Sequence, residues 1–164
     1  MKKNNENFLY VGIVVLLLLI DQLSKQAMRN LANGMIGYSM KIFGDFFRLT
    51  YVENHGGIFG VFQGHIKAFT IVSLILIAYI YFTELKNFHK YSNLTKVGVL
   101  FIIAGAAGNM FDRLFRSYVI DMIDFRTIWQ FVFNIADMYI HIGVYLVIIA
   151  YILKRGRKKW LFKI

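Results

Sequence analysis

The sequence predicts an all-α membrane protein with a small β element. Of its 164 residues, 58% are hydrophobic, and the mean hydropathy is +0.54, whereas soluble domains have an apolar share of roughly 45–50%. The apolar residues gather into four segments, each long enough for a helix that crosses about 30 Å of hydrocarbon with roughly 20 residues. These segments leave little chain for a soluble domain, so we expect a single integral-membrane domain over residues 1–164.

The four predicted transmembrane helices cover about residues 8–28, 66–82, 97–115 and 135–153. The outward segments between them cover about residues 29–65 and 116–134. The N-terminal apolar stretch also has the form of a cleavable signal peptide, because two lysines precede it. No small-residue cleavage site follows cleanly, and "DQLSK" continues the helical spacing, so a retained first helix is favoured.

The net charge of +10 is concentrated on one side of the predicted bundle. An even number of spans places both termini on the same side. That side, with the loop between the second and third spans, carries eleven basic and two acidic residues, a net charge of +9, against +1 for the remainder. The positive-inside rule therefore predicts cytoplasmic termini. The tail "KRGRKKW" is predicted to contact lipid headgroups, and no nucleic-acid partner is expected.

The first outward segment contains a predicted strand, because "FFRLTYVEN" partly alternates apolar and polar residues. The glycines of the following "HGGIFG" indicate a tight turn or a close approach. In the third span, the small residues of "AGAAG" favour close helix packing. The absence of cysteine excludes disulfides and thiol catalysis, and the histidines form no metal-ligand pattern, so no metal or cofactor is expected.

Acidic residues concentrate between the third and fourth spans. Four carboxylates, those of Asp112, Asp121, Asp124 and Asp137, lie within 26 residues. The connecting segment can bring Asp121 or Asp124 close to Asp137, and two neighbouring carboxylates then share one proton. Such a pair supplies one base and one acid, which is the chemistry of an aspartic peptidase. In a second and compatible interpretation, "NIAD" starts a helix, with Asn134 as N-cap and Asp137 near the positive end of the helix dipole.

Two further groups of polar residues share helix faces. Asn109, Asp112 and Arg113 are spaced i, i+3 and i+4 at the outer boundary. Arg113 can bind a carbonyl or carboxylate by paired hydrogen bonds, although by itself it is more typical of a side chain that snorkels to the interface. Asp21 and Lys25 are spaced i, i+4, which predicts a neutralising and structural ion pair near the membrane edge.

Five motifs, taken in order along nearly the whole chain, resemble the lipoprotein signal peptidase family, also called signal peptidase II. They are "DQLSK" (21–25), "NHGGIFG" (54–60), "GAAGNMFDR" (105–113), "YVIDMIDF" (118–125) and "FNIAD" (133–137). The resemblance implies an intramembrane aspartic endopeptidase of the bacterial inner or plasma membrane. It also implies four transmembrane helices, an extracytoplasmic β-cradle and a short amphipathic helix over the site.

Members of that family cut prolipoproteins just before a cysteine that carries a diacylglyceryl group. The expected partners are therefore diacylglyceryl-modified prolipoproteins and membrane lipid, with the enzyme expected to be a monomer. By position in the motifs, the catalytic aspartates fall on Asp121 and Asp137. The site-lining residues fall on Asn54, Gly56, Asn109, Arg113 and Asn134. Separately from the resemblance, Asp21, Lys25 and Asp112 are expected to support the structure.

The sequence departs from the family pattern beside both catalytic aspartates. Met122 stands where a phenylalanine is usual, and Met138 where a serine is usual. Asp124 is followed by Phe125, so these two residues also match the aspartate-phenylalanine sequence that is usual at the first catalytic aspartate. Asp121 is favoured because it keeps the family's distance from the "DR" motif. His55 and Gly57 also vary the usual filling of the asparagine-glycine loop.

Two other classes of membrane protein compete with this interpretation. A non-enzymatic four-helix carrier or assembly subunit would place ionisable residues near mid-membrane, and the cores of the second and fourth spans contain none besides His141. A presenilin-type protease would need a glycine-x-glycine-aspartate motif inside a span, and the sequence has none.

The charge asymmetry yields a test of topology. A reporter fused after Ile164 should be cytoplasmic, and a reporter inserted within residues 35–45 should be extracytoplasmic. Paired reporters that are active only on opposite sides of the membrane check both positions. The opposite result at either position would contradict the placement of the outward segments.

Overall fold

The computed structural model describes residues 2–56, 70–72, 74–75, 78–79, 82 and 85–161. Its helices are α1 (Lys2–Leu31), a 3-10 helix (Leu85–Lys90), α2 (Asn93–Phe115) and α3 (Ile135–Leu161). Within the described residues, three helical stretches are long and apolar enough to cross a membrane: Glu6–Leu31, Asn93–Phe115 and Ile135–Arg155. These stretches coincide with the predicted first, third and fourth spans.

The predicted second span, residues 66–82, lies mostly outside the described residues. The residues of that stretch that are described are helical. The total of four spans therefore stays a prediction. The described parts of the outward segments contain no further helix after α1, so the amphipathic helix implied by the resemblance also stays a prediction.

Helices α2 and α3 pack closely because glycines remove side chains at their contact. A Cβ atom on Gly98 would lie 2.8 Å from the carbonyl oxygen of Gly143, and one on Gly143 would lie 2.5 Å from that of Gly98. Further along α2, a Cβ on Gly105 would clash with the carbonyl oxygen of Ala136. The small residues of "AGAAG" thus lie where backbone meets backbone, as expected for close helix packing.

The predicted strand is present and belongs to a three-stranded antiparallel sheet. Strand β1 (Ser39–Phe43) pairs with β2 (Phe47–Asn54), and β2 pairs with β3 (Val119–Asp124). The sequence did not predict β1 or β3. The sheet packs on the end of α1 through a small core of Met28, Ala32, Tyr51, Ile120 and Met122. Strand β3 therefore lies beside the ends of the membrane-spanning helices.

The glycine contact between α2 and α3 can be tested by adding one methyl group. We expect Gly98→Ala to lower the free energy of unfolding by about 1–3 kcal/mol, because its Cβ must displace backbone. Gly12→Ala is the matched control, because no described atom lies within 4 Å of its Cβ. Thermal unfolding in detergent compares the two variants. Equal stability of both would contradict the proposed packing.

Candidate active site

Asn134 joins the two aspartates that the sequence singled out. Its side-chain Nδ2 donates a 2.6 Å hydrogen bond to Oδ1 of Asp121, at the middle of β3. Its Oδ1 accepts a 2.9 Å bond from the backbone N–H of Asp137, whose Oδ2 accepts a 3.2 Å bond from the N–H of Asn134. Asn134 is thus the reciprocal N-cap of α3. Because this helix cap reaches β3, it brings Asp121 and Asp137 (the aspartate pair) close enough for the charge of Asp137 to act on Asp121.

Asp121 is the more buried member of the pair, with 4% of its surface exposed. Two effects raise the pKa of the Asp121 carboxyl to about 7: first its burial, and second the negative charge of Asp137. Amide donors from Asn54 (3.0 Å) and Asn134 oppose the shift. The side chain therefore holds a proton near neutral pH in an otherwise polar site.

Asp137 accepts a hydrogen bond through each of its two carboxyl oxygens. It is half-buried in the first turn of α3, where the helix dipole favours a negative charge. Its Oδ1 accepts a 2.7 Å bond from Nδ2 of Asn109, and its Oδ2 accepts the backbone bond from Asn134. The two members of the pair thus differ in burial and in hydrogen bonding, which is the condition for one to act as an acid and the other as a base.

Arg113 lies on α2 and interacts electrostatically with both members of the aspartate pair, more strongly with Asp137 than with Asp121. One nitrogen donates a long 3.5 Å bond to the backbone oxygen of Asn109, and the buried Nε has no partner among the described residues. Arg113 therefore retains donors for a further acceptor, which favours a binding role over snorkelling.

The loop after β2 orients Asn54. The backbone N–H of Gly56 donates a 3.0 Å bond to Oδ1 of Asn54, so the amide nitrogen of Asn54 faces Asp121. This is an Asx-turn, in which a side-chain oxygen takes the place of a backbone acceptor. The remainder of the "NHGGIFG" motif lies outside the described residues.

Asp124 belongs to a different set of contacts. Asp121 and Asp124 are three residues apart on β3, so their side chains leave opposite faces of the sheet. Asp124 accepts a 2.6 Å bond from Thr50 Oγ1 and pairs with Arg126. Burial opposes ionisation of this carboxyl, but the bonds from Arg126 and Thr50 hold the pKa of Asp124 below its usual range. Met122, the departure beside Asp121, packs into the core below the sheet.

A buried ion cluster lies directly behind the site. Lys25 Nζ is 2.9 Å from Asp21 and 2.8 Å from Asp112, and none of these three side chains is exposed. Arg116 pairs with the other oxygen of Asp112. The four residues (the ion cluster) carry no net charge, so each desolvated charge has a counter-charge.

The sequence predicted the Asp21–Lys25 pair but missed Gln22 and Arg116, which bond to the carboxylates of the ion cluster. Gln22 donates to both carboxylates of the cluster, at 3.0 Å and 3.2 Å, and accepts a 2.7 Å bond from Arg116. The i, i+4 spacing of Asp112 and Arg116 was a usable signal for that pair. No local pattern identifies Gln22, because its contacts span more than 80 residues of sequence.

The carboxylates of the ion cluster also bind the backbone beside the aspartate pair. Oδ1 of Asp21 accepts a 3.0 Å bond from the N–H of Ala136, the residue before Asp137. Oδ2 of Asp112 accepts a 3.3 Å bond from the N–H of Ile120, the residue before the other aspartate. One charged cluster thereby fixes both segments that carry the pair. Among the described residues, no group of three or more His, Cys, Asp and Glu side chains is arranged to hold a metal.

Comparison with known proteins gives consistent matches along the chain. The family model for signal peptidase (SPase) II matches residues 13–153. A lipoprotein signal peptidase of Fusobacterium nucleatum is 44% identical, with 94% of this chain and 92% of the relative covered. One from Clostridioides difficile is 40% identical, with 82% and 88% covered. A solved bacterial membrane enzyme superposes with a TM-score of 0.73 at 30% identity, with 91% of this chain and 90% of that chain covered.

The ion cluster predicts non-additive effects on stability. Asp21→Asn and Lys25→Met each leave an uncompensated buried charge, and we expect each to cost about 3–5 kcal/mol. The Asp21→Asn/Lys25→Met double variant restores neutrality, so its loss should be clearly smaller than the sum of the two. Chemical denaturation of the four proteins in detergent completes the double-mutant cycle. Additive losses would mean that the two charges are not coupled.

Proposed function

Because the chain belongs to the signal peptidase II family, we propose that it is an intramembrane aspartic endopeptidase that removes signal peptides from prolipoproteins. Cleavage occurs on the N-terminal side of the diacylglyceryl-modified cysteine. The observation that carries the proposal is the aspartate pair, in which one asparagine side chain bonds to both Asp121 and Asp137. A bacterial membrane protein of a protease family thus presents the two carboxyl groups that aspartic peptidases need.

The different surroundings of the pair assign the two roles. Asp137, ionised, takes a proton from a water molecule, whose oxygen attacks the carbonyl carbon of the scissile peptide. Asp121, protonated, donates its hydrogen to the carbonyl oxygen and lowers the barrier to attack. The resulting intermediate collapses when the proton on Asp137 passes to the leaving amine nitrogen and the C–N bond breaks. Asp121 recovers its proton as the new carboxyl group forms.

Arg113 and Asn54 complete the peptide-binding surface. The charge of Arg113 acts on both carboxylates, and its buried Nε has no partner among the described residues, so it is available to a backbone carbonyl of the substrate. Asn54 and Gly56 hold the loop that borders Asp121 and are assigned to substrate positioning. Asn109 and Asn134 orient the aspartate pair itself.

The position of the site fits a lipid-bearing substrate. Asp137 lies at the first turn of a helix that is long and apolar enough to cross the membrane, and Asp121 lies on the sheet beyond it. A diacylglyceryl cysteine keeps its acyl chains in hydrocarbon and its peptide at the surface. With both termini cytoplasmic, the site opens on the extracytoplasmic side of the bacterial inner or plasma membrane. The carboxylates are tolerated there because the polar side chains of Asn54, Asn109 and Asn134 bond to them.

Substitution of the aspartate pair tests the mechanism. We expect Asp121→Asn and Asp137→Asn each to lower cleavage by at least about 10³-fold, because an amide can neither accept nor cycle the proton. Asp124→Asn is the matched control, a neighbouring aspartate outside the pair, and should retain substantial activity. The assay follows release of the signal peptide from a diacylglyceryl-modified prolipoprotein at matched amounts of folded protein.

Two results of that assay would contradict the proposal. An active Asp137→Asn protein would leave Asp137 as a helix cap only, whose replacement costs roughly 1 kcal/mol of stability. If the unaltered protein cleaved the unmodified prolipoprotein equally well, the diacylglyceryl-modified cysteine would not be part of what the enzyme recognises.

The raised pKa of Asp121 predicts a decline of activity at alkaline pH. Asp121 must be protonated to polarise the carbonyl, and its pKa is about 7. The cleavage rate constant should therefore fall as pH rises through about 7. Single-turnover rates across the pH range measure this profile. Asp124→Asn should leave it unchanged, and a rate that stays constant above pH 8 would contradict the assignment.

A further inference from the structure

Lys25 is a buried cation that the cleavage steps leave unused. Besides its two carboxylate partners, its Nζ lies 3.1 Å from Oδ1 of Asn109. An ammonium has three N–H donors, so these three acceptors use all of them. The third acceptor is an uncharged amide, and neutralising the carboxylates of Asp21 and Asp112 does not require it. This contact connects the ion cluster to the aspartate pair.

The contact with Lys25 decides which way the Asn109 amide points. An amide accepts through its oxygen and donates through its nitrogen, whereas an ammonium only donates. The oxygen of Asn109 must therefore face Lys25, which turns Nδ2 toward Asp137, at 2.7 Å from Oδ1. The reversed amide would set two donors against each other at Lys25 and two acceptors against each other at Asp137. Asn109 is itself buried, so water does not relieve either conflict.

We propose that Lys25 is a positioning residue for the aspartate pair: by holding Oδ1 of Asn109, it keeps the amide donor on Asp137 and so keeps Asp137 the ionised member. This inference rests on the proposed function. Lys25 contacts neither aspartate of the pair and acts through Asn109. The roles of acid and base are then fixed by a residue on α1, more than 80 residues away in sequence.

The amide bond is separable from the charge of Lys25, which also acts directly on Asp121. Arg113 on α2 and Lys25 on α1 interact electrostatically with the pair, and His141 on α3 bonds to the backbone oxygen of Asp137. Within the ion cluster two positive and two negative charges balance. A change that keeps this balance while removing the donor to Asn109 therefore isolates the proposed effect.

The test compares three proteins on the same background. Asp21→Asn alone keeps Lys25 with its contacts to Asp112 and Asn109. Asp21→Asn/Lys25→Met removes one charge of each sign and deprives Asn109 of its donor. Asp21→Asn/Lys25→Gln has the same charge as the Met variant but restores an N–H donor of similar reach. Each is reconstituted at full length with ¹³C-labelled aspartate carboxyl groups.

Two readouts are taken at matched amounts of folded protein. Carboxyl resonances are titrated without substrate, and cleavage of a diacylglyceryl-modified prolipoprotein is measured against pH. In the Met variant we expect the first ionisation of the pair to move about one pH unit upward, because the ionised form has lost a hydrogen bond. Cleavage at acid pH, below the first ionisation of the pair, should fall by up to about tenfold relative to the Gln variant, which has the same charge. The Gln variant should match the unaltered protein, whose ion cluster is also neutral, in the titration.

Each outcome bears on the proposal. A Met variant that titrates and cleaves like the Gln variant overturns it. If the Met variant does not fold, the Gln variant is compared with the unaltered protein, whose ion cluster is also neutral: an unchanged titration supports the role of the donor, and a shifted titration overturns it. If the unaltered protein fails to cleave the modified prolipoprotein while the titration still shifts as expected, the proposed function fails and the positioning role of Lys25 stands.

Discussion

The ammonium of Lys25 lies between the carboxylates of Asp21 and Asp112, and none of these three side chains is exposed to solvent. Desolvating these charges costs several kcal/mol for each ion, and only a complete set of partners offsets that cost. The set is supplied by α1, α2 and the backbone of the two elements that carry the aspartate pair. Breaking one contact leaves a buried charge unpaired, so the helix ends and the sheet are held in one arrangement.

Glycine makes that arrangement possible in the membrane-spanning part. Helix α3 approaches α2 until backbone meets backbone at Gly98 and Gly143, and a Cβ on Gly108 would lie 2.5 Å from Oδ2 of Asp21. Glycines along α2 therefore serve two purposes: Gly98 lets α3 approach, and Gly108 leaves room for the ion cluster. Since lipid provides no hydrophobic drive for helix association, close packing and buried polar contacts are what hold these helices together.

The aspartate pair obtains its asymmetry from the two elements that carry it. Asp121 projects from a buried strand, where low exposure favours the neutral acid. Asp137 begins a helix, where the dipole and two hydrogen bonds favour the carboxylate. Asn134 serves both environments, because capping α3 with its oxygen leaves its nitrogen free for Asp121. Local helix chemistry and the geometry of the site are thus satisfied by the same side chain.

The sequence by itself determined the contacts that lie within one helical turn and the helices long enough to show their apolar character. The predicted first, third and fourth spans, the Asn134 cap beside Asp137 and the Asp21–Lys25 pair all follow from spacing of three or four residues or from sustained hydropathy. Only the tertiary structure decided the rest. Strand β3, "VIDMID", is buried on both faces and lacks alternation, so no period marked it as a strand. Asp121 and Asp124 have similar neighbours in the sequence, and only the tertiary structure gives them different partners, Asn54 and Asn134 for Asp121 and Thr50 and Arg126 for Asp124. The orientation of Asn109 depends on Lys25, 84 residues earlier, because an amide has no preferred direction until its neighbours supply a donor on one side and an acceptor on the other.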